Sequence, residues 1–186
     1  VHGVLNTDNL NVTGESFDYG PWRFLPHYEP GFTAAYFDQF GLYAFARQPE
    51  AVFWNLTQLA GCLKLVADAE PLTEALNGFG PAYIRELRAA FLMRLGVCSA
   101  GDEADQVLLD ATLAFLRESG AALFNHESDR PERLEHPVFS AADPEEMLID
   151  EVEALWAAIA ERDDWEPFAA KLARLEASRR AYDLFC

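Results

Sequence analysis

The chain has 186 residues, 51% hydrophobic and 24% charged, enough apolar material for a core and an ordinary charge content. Its formal net charge is −17, and so acidic a surface repels a nucleic-acid backbone or an anionic membrane, so neither is expected as a partner. No run of about twenty apolar residues is present to span a bilayer.

The first twenty residues carry most of the chemistry. His2-Gly3-Val4-Leu5-Asn6-Thr7-Asp8-Asn9 is followed, ten residues after Asp8, by Asp18-Tyr19-Gly20. Carboxylate and amide oxygens are hard ligands that suit Mg²⁺ or Mn²⁺, ions that bind through one or two carboxylates plus substrate phosphates. An Asp-Asn pair followed closely by Asp-aromatic-Gly is how kinase-like folds present such an ion to a nucleotide. Between the motifs Leu10 and Val12 alternate with Asn11 and Thr13, and Gly14 can turn the chain. That pattern predicts a small β-hairpin returning Asp18 to face Asp8 and Asn9. Taken alone, Asp8 and Asn9 are common turn residues; their spacing to Asp18 makes them candidates. His2 is expected to support the loop through hydrogen bonds, and Asn6 to bond backbone within it.

Residues 1–49 are rich in Gly, Pro and aromatic residues, including Tyr36, Phe37, Phe40 and Tyr43. They predict irregular backbone wrapped over an aromatic core. From Pro49 the pattern turns helical, with Val52, Leu56, Leu59 and Leu63 on one stripe. Pro71-Leu72 opens a short helix ending near Asn77-Gly78. Gly80-Pro81 opens another, with Ile84, Leu87, Phe91 and Leu95 on its buried face and Gly96 as cap. A third starts at Asp102 or Asp105, carries Leu109, Leu113 and Leu116, and closes at Gly120. Residues 125–140 read as a loop, within a break extending to about 142. Asp143-Pro144-Glu145-Glu146 then reads as a helix N-terminus, and a last helix starts near Glu166. The acidic run Glu145, Glu146, Asp150, Glu151 and Glu153 is expected to be a solvated helix face. The fold class is therefore mainly α: a helical bundle with a small β element at its N-terminal edge. Two regions are expected, 1–65 with the motifs and the first helix, and 66–186 as the helical remainder.

Cys62, Cys98 and Cys186 are widely spaced and odd in number, which favours free thiols in a reducing compartment over a disulfide framework. With no signal peptide visible, a cytoplasmic location is expected. The chain lacks an initiating Met and opens inside a motif, so it reads as a piece of something longer.

The octapeptide from His2 to Asn9 resembles the selenoprotein O family. So do Phe17-Asp18-Tyr19-Gly20-Pro21, Glu29-Pro30-Gly31-Phe32, Gly41-Leu42-Tyr43, Gln48-Pro49 and Trp54-Asn55-Leu56. The match is close over about residues 1–65 and looser beyond. The resemblance implies a protein-kinase-like C-lobe and protein adenylyltransferase activity, AMP passing from ATP to Ser, Thr or Tyr hydroxyls of protein substrates. It also implies roles: Asp8 as catalytic base, Asn9 and Asp18 as ligands of Mg²⁺ or Mn²⁺, and Asp18 as a nucleotide-binding residue. The family's nucleotide-gripping lysine, helix glutamate and phosphate-loop residues lie upstream of the His-Gly motif. On that basis the N-lobe is absent here, and the chain alone is expected to be inactive or nearly so. Two other readings stay open: a γ-phosphoryl-transferring enzyme on the same fold, and a non-catalytic helical interaction module.

Overall fold

The computed structural model describes residues 1–15, 18, 20–25, 27–119, 135–141 and 145–184. These are mainly helical and contain no β-strand. The stretch expected to form a hairpin makes only a turn, closed by Gly14 N–H on Asn11 O at 3.0 Å with Gly14 at φ +79°. Among the described residues the antiparallel pairing that forms is a single bridge between His2 and Trp22.

Two compact units divide the chain: Val1–Leu25 with Glu29–Glu86, and Pro26–Tyr28 with Leu87–Cys186. In the first, a 3₁₀ turn (Phe45–Arg47) leads into α1 (Gln48–Leu63). Pro49 sits in the first turn of α1, where a missing N–H costs nothing. The second helix, α2 (Ala69–Asn77), packs on α1; it starts two residues before Pro71, which again occupies a first turn. Phe53 of α1 meets Phe79 at 5.6 Å between ring centroids, and Phe79 opens α3 (Phe79–Leu95), within which the unit boundary falls.

The expected aromatic core does not form. Ala35 and Ala44 are the buried apolar side chains of the 18–45 stretch, while Tyr36 and Phe40 are each 94% exposed. The backbone packs closely at Gly3, where a Cβ would lie 2.6 Å from Pro21 O and 2.9 Å from Ala35 N, space that admits only a small residue.

In the second unit, Gly96 at φ +69° ends α3, as its position suggested. Leu92 is the buried residue of that helix, whereas Ile84, expected on the buried face, is exposed. Then come α4 (Asp102–Ser119), with Leu109 and Leu116 buried, and α5 (Pro137–Ser140). After them stand α6 (Ile149–Arg162) and α7 (Glu166–Leu184). The single turn α5 falls where a loop was expected; the His136 ring caps it, accepting from Val138 N–H. Phe139 meets Tyr182 edge-on at 4.9 Å, and the Arg94 guanidinium lies 5.1 Å from the same tyrosine ring.

The helix start expected at Asp143 is displaced. Asp143 and Pro144 lie outside the described residues, Glu145–Leu148 is non-helical, and α6 begins at Ile149. The Glu145 carboxylate has another task, bonding Lys171 Nζ at 2.6 Å and Arg174 Nε at 2.9 Å. Lys171 is 1% exposed; it also holds Glu151 at 2.6 Å and donates to Glu146 O. Glu145 and Glu151 are thus ion-pair partners rather than a solvated face. Among the described residues, no helix is long and apolar enough to cross a membrane.

Candidate active site

The site begins with backbone pairing. Gly3 N–H donates to Pro21 O at 2.6 Å, and Arg23 N–H to Val1 O at 2.9 Å. The His-Gly segment and the residues after Asp18 therefore lie side by side. The His2 ring joins them directly. Its Nδ1 accepts from Val4 N–H at 3.2 Å, so the proton sits on Nε2, which donates to Asp18 O at 3.0 Å. Loop support was the role expected of His2, and these bonds supply it.

Asn9 closes the loop from the other side: its Nδ2 donates to Val4 O at 2.9 Å and its N–H to Asn6 O at 3.2 Å. A continuous path then runs from Asn9 through Val4 and His2 to Asp18. With the amide nitrogen engaged, Oδ1 is the Asn9 atom that can face a cation. Asp18 is half-buried and accepts Gly20 N–H on Oδ1 at 3.2 Å. Asp8 is exposed at the head of the loop. Phe17 and Tyr19 lie outside the described residues.

Two side chains that carried no assigned role anchor the loop to α1. Gln48 Nε2 donates to His2 O at 2.7 Å, and Asn55 Nδ2 to Leu5 O at 2.8 Å. Asn55 is 5% exposed, so its bond is made away from water. Their partners lie 46 and 50 residues away; their presence in the Gln-Pro and Trp-Asn-Leu motifs was the available signal.

Asp38 builds the neighbouring wall, accepting Leu42 N–H and Tyr43 N–H at 2.8 Å each. Burial, then the Asp38 and Asp8 carboxylates, push the Tyr43 phenol above its ordinary range. Tyr43, Leu5, Asn6, Thr7, Leu42 and Trp54 help line a cavity of about 440 Å³. Asn6 Oδ1 is buried without a hydrogen-bond partner, against the expectation that this side chain bonds backbone within the loop.

The Asn9 amide oxygen and the Asp18 carboxylate are donors of the kind a hard cation takes alongside phosphate oxygens. Among the described residues, no group of three or more His, Cys, Asp and Glu side chains could hold a metal ion by itself.

Comparison with known proteins adds the family. A model described as protein adenylyltransferase SelO matches residues 1–127. Curated relatives named protein nucleotidyltransferase YdiU include one from Trichodesmium erythraeum, 33% identical over 90% of this chain and 44% of its own. One from Synechocystis is 34% identical over 94% and 47%. A Synechococcus elongatus relative reaches 47% identity over 57% of this chain and 20% of its own. The chain thus spans rather less than half the length of the first two. It belongs to the SelO family.

Proposed function

We infer that this chain is the C-lobe portion of a kinase-like protein adenylyltransferase, with residues 1–65 as its catalytic part. What supports this most is the hydrogen-bonded path from Asn9 through Val4 and His2 to Asp18, inside the stretch matched by the family model. Asn9, through Oδ1, and the Asp18 carboxylate would hold Mg²⁺ or Mn²⁺. Such an ion, when bound, neutralises charge on the ATP phosphates.

Asp8 takes the proton from a Ser, Thr or Tyr hydroxyl of the acceptor protein. The hydroxyl oxygen bonds to the α-phosphorus as the bond from that phosphorus to its bridging oxygen breaks, and pyrophosphate leaves. His2, Gln48 and Asn55 react with nothing. They hold the loop so that Asp8 and Asn9 keep their geometry, the larger share of catalysis in phosphoryl-type transfer.

The test uses the intact protein with ATP labelled at either the α- or the γ-phosphate. Transfer of α-label to protein, with one pyrophosphate released per AMP, is expected. Transfer of γ-label instead would replace this reading with a phosphotransferase.

A further inference from the structure

The loop that follows the second motif is closely bonded, yet it turns its largest side chains to solvent. Two backbone bonds close its base, Phe45 N–H to Phe32 O and Ala46 N–H to Pro30 O, at 2.9 Å each. Within it Asp38 N–H donates to Ala35 O at 3.1 Å, and the Asp38 carboxylate accepts Leu42 N–H and Tyr43 N–H at 2.8 Å each. Arg47 adds a bond to Gly41 O at 3.0 Å. On this frame Tyr36 and Phe40 are each 94% exposed and Phe37 and Leu42 each 52%. The Tyr36 and Phe37 rings meet edge-on at 5.2 Å.

Area decides between occupants. A covered aromatic side chain buries about 150–250 Å², so the four side chains together offer about 500 Å², a size at which exposed apolar patches are often functional. A stable complex of separate chains takes about 800 Å² from each partner, more than this loop supplies. A segment of the same polypeptide needs less, because its covalent link has already brought it to the loop.

Length and position supply such a segment. The chain spans 44% and 47% of two relatives that match it over 90% and 94% of its own length. Val1 lies antiparallel to Arg23, its nitrogen donating to Arg23 O at 2.7 Å and its carbonyl accepting Arg23 N–H at 2.9 Å. Two residues on, Gly3 abuts the loop, a Cβ there lying 2.9 Å from Ala35 N. Two residues of extended chain measure about 7 Å, so polypeptide leading into Val1 reaches Tyr36 within a few residues.

We propose that Tyr36, Phe37, Phe40 and Leu42 form an intramolecular docking surface, covered in the intact protein by an apolar segment of the part that precedes Val1. The choice of occupant rests on the C-lobe reading above.

The test is hydroxyl-radical footprinting of the intact wild-type protein, folded and in urea, read by mass spectrometry at each aromatic residue. Tyr36 and Phe40 are expected to oxidise at least tenfold more slowly in the folded protein, equally so over a wide range of protein concentration. Oxidation near the unfolded rate overturns the docking surface, and protection that vanishes on dilution replaces the proposal with contact between two copies. A photo-reactive benzoylphenylalanine in place of Phe40 then names the occupant. A cross-link within one polypeptide to residues preceding Val1 is expected; a cross-link to any other part of it, or to another protein, overturns the assignment. Protection and cross-link without α-label transfer keep the docking surface and remove the transferase reading; α-label transfer with Tyr36 and Phe40 unprotected does the reverse.

Discussion

A single imidazole joins the two motifs. His2 spends both ring nitrogens on backbone, one at Val4 and one at Asp18, and so acts as a brace. One such bond is worth about 1 kcal/mol net, roughly a factor of five in an equilibrium, and the loss of both about a factor of ten or more. His2→Ala in the intact protein is therefore expected to weaken Mn²⁺–ATP binding about tenfold, read by calorimetry. Unchanged affinity would show that the brace does nothing for the site. Gly3 sets a second residue-scale constraint. Its missing Cβ allows the close passage of Pro21 O and Ala35 N, and Gly3→Ala should cost about 1–3 kcal/mol in chemical denaturation. At this scale the sequence was informative where interactions are short-range: the loop-bracing imidazole and the Val4 and Asp18 backbone it bonds stand in one twenty-residue stretch. Gln48 and Asn55 could be named there but given no role, because a bond spanning 46 or 50 residues leaves no local trace.

Elements follow periodicity until a side chain is diverted. The starts of α1, α3 and α4, and the end of α3 at Gly96, follow apolar spacing and caps, since helix propensity and burial agree there. At Glu145 they disagree. Glu145, expected in the first turn of a helix starting at Asp143, is held by Lys171 and Arg174, partners 26 and 29 positions later, and α6 begins at Ile149. Burial alone would push the Lys171 ammonium down, but Glu145 and Glu151 outweigh it and hold it above its ordinary range. For Glu145, burial alone would push the carboxyl up, and Lys171 with Arg174 holds it below.

The two signs give a pH window. A lowered carboxyl stabilises the fold above its ordinary titration range and loses that contribution as pH falls through its folded value. The raised ammonium contributes until pH climbs past its own elevated value. Unfolding free energy is thus expected to fall below about pH 4. Lys171→Met should cost about 2 kcal/mol near neutrality, by leaving Glu145 and Glu151 to Arg174 alone, and should flatten the acid slope. An acid slope identical to wild type would show that Glu145 gains nothing from Lys171.

At the scale of the whole molecule, exposed surface says most. Tyr36 and Phe40 stand 94% exposed beside a core of alanines, in a chain that spans 44% of one relative's length. Aromatic content alone could not tell a core ring from an outward one. Under the proposed reading the chain is a C-lobe portion, and the phosphate clamp is a matter of the intact protein. The 186-residue chain alone should therefore bind Mn²⁺–ATP too weakly for calorimetry to detect, while the intact protein binds it. Tight binding by the chain alone would place the whole nucleotide site within these two units.

The central claim is that Asn9 and Asp18 share one divalent ion beside Asp8. Titrating Mn²⁺ into the intact protein by electron paramagnetic resonance, with a non-hydrolysable ATP analogue present, reads that ion directly. One tightly bound Mn²⁺ is expected, weakened at least tenfold by Asn9→Ala or Asp18→Ala and retained in Asp8→Ala, which loses transfer alone. Wild-type Mn²⁺ affinity in Asp18→Ala would contradict the account.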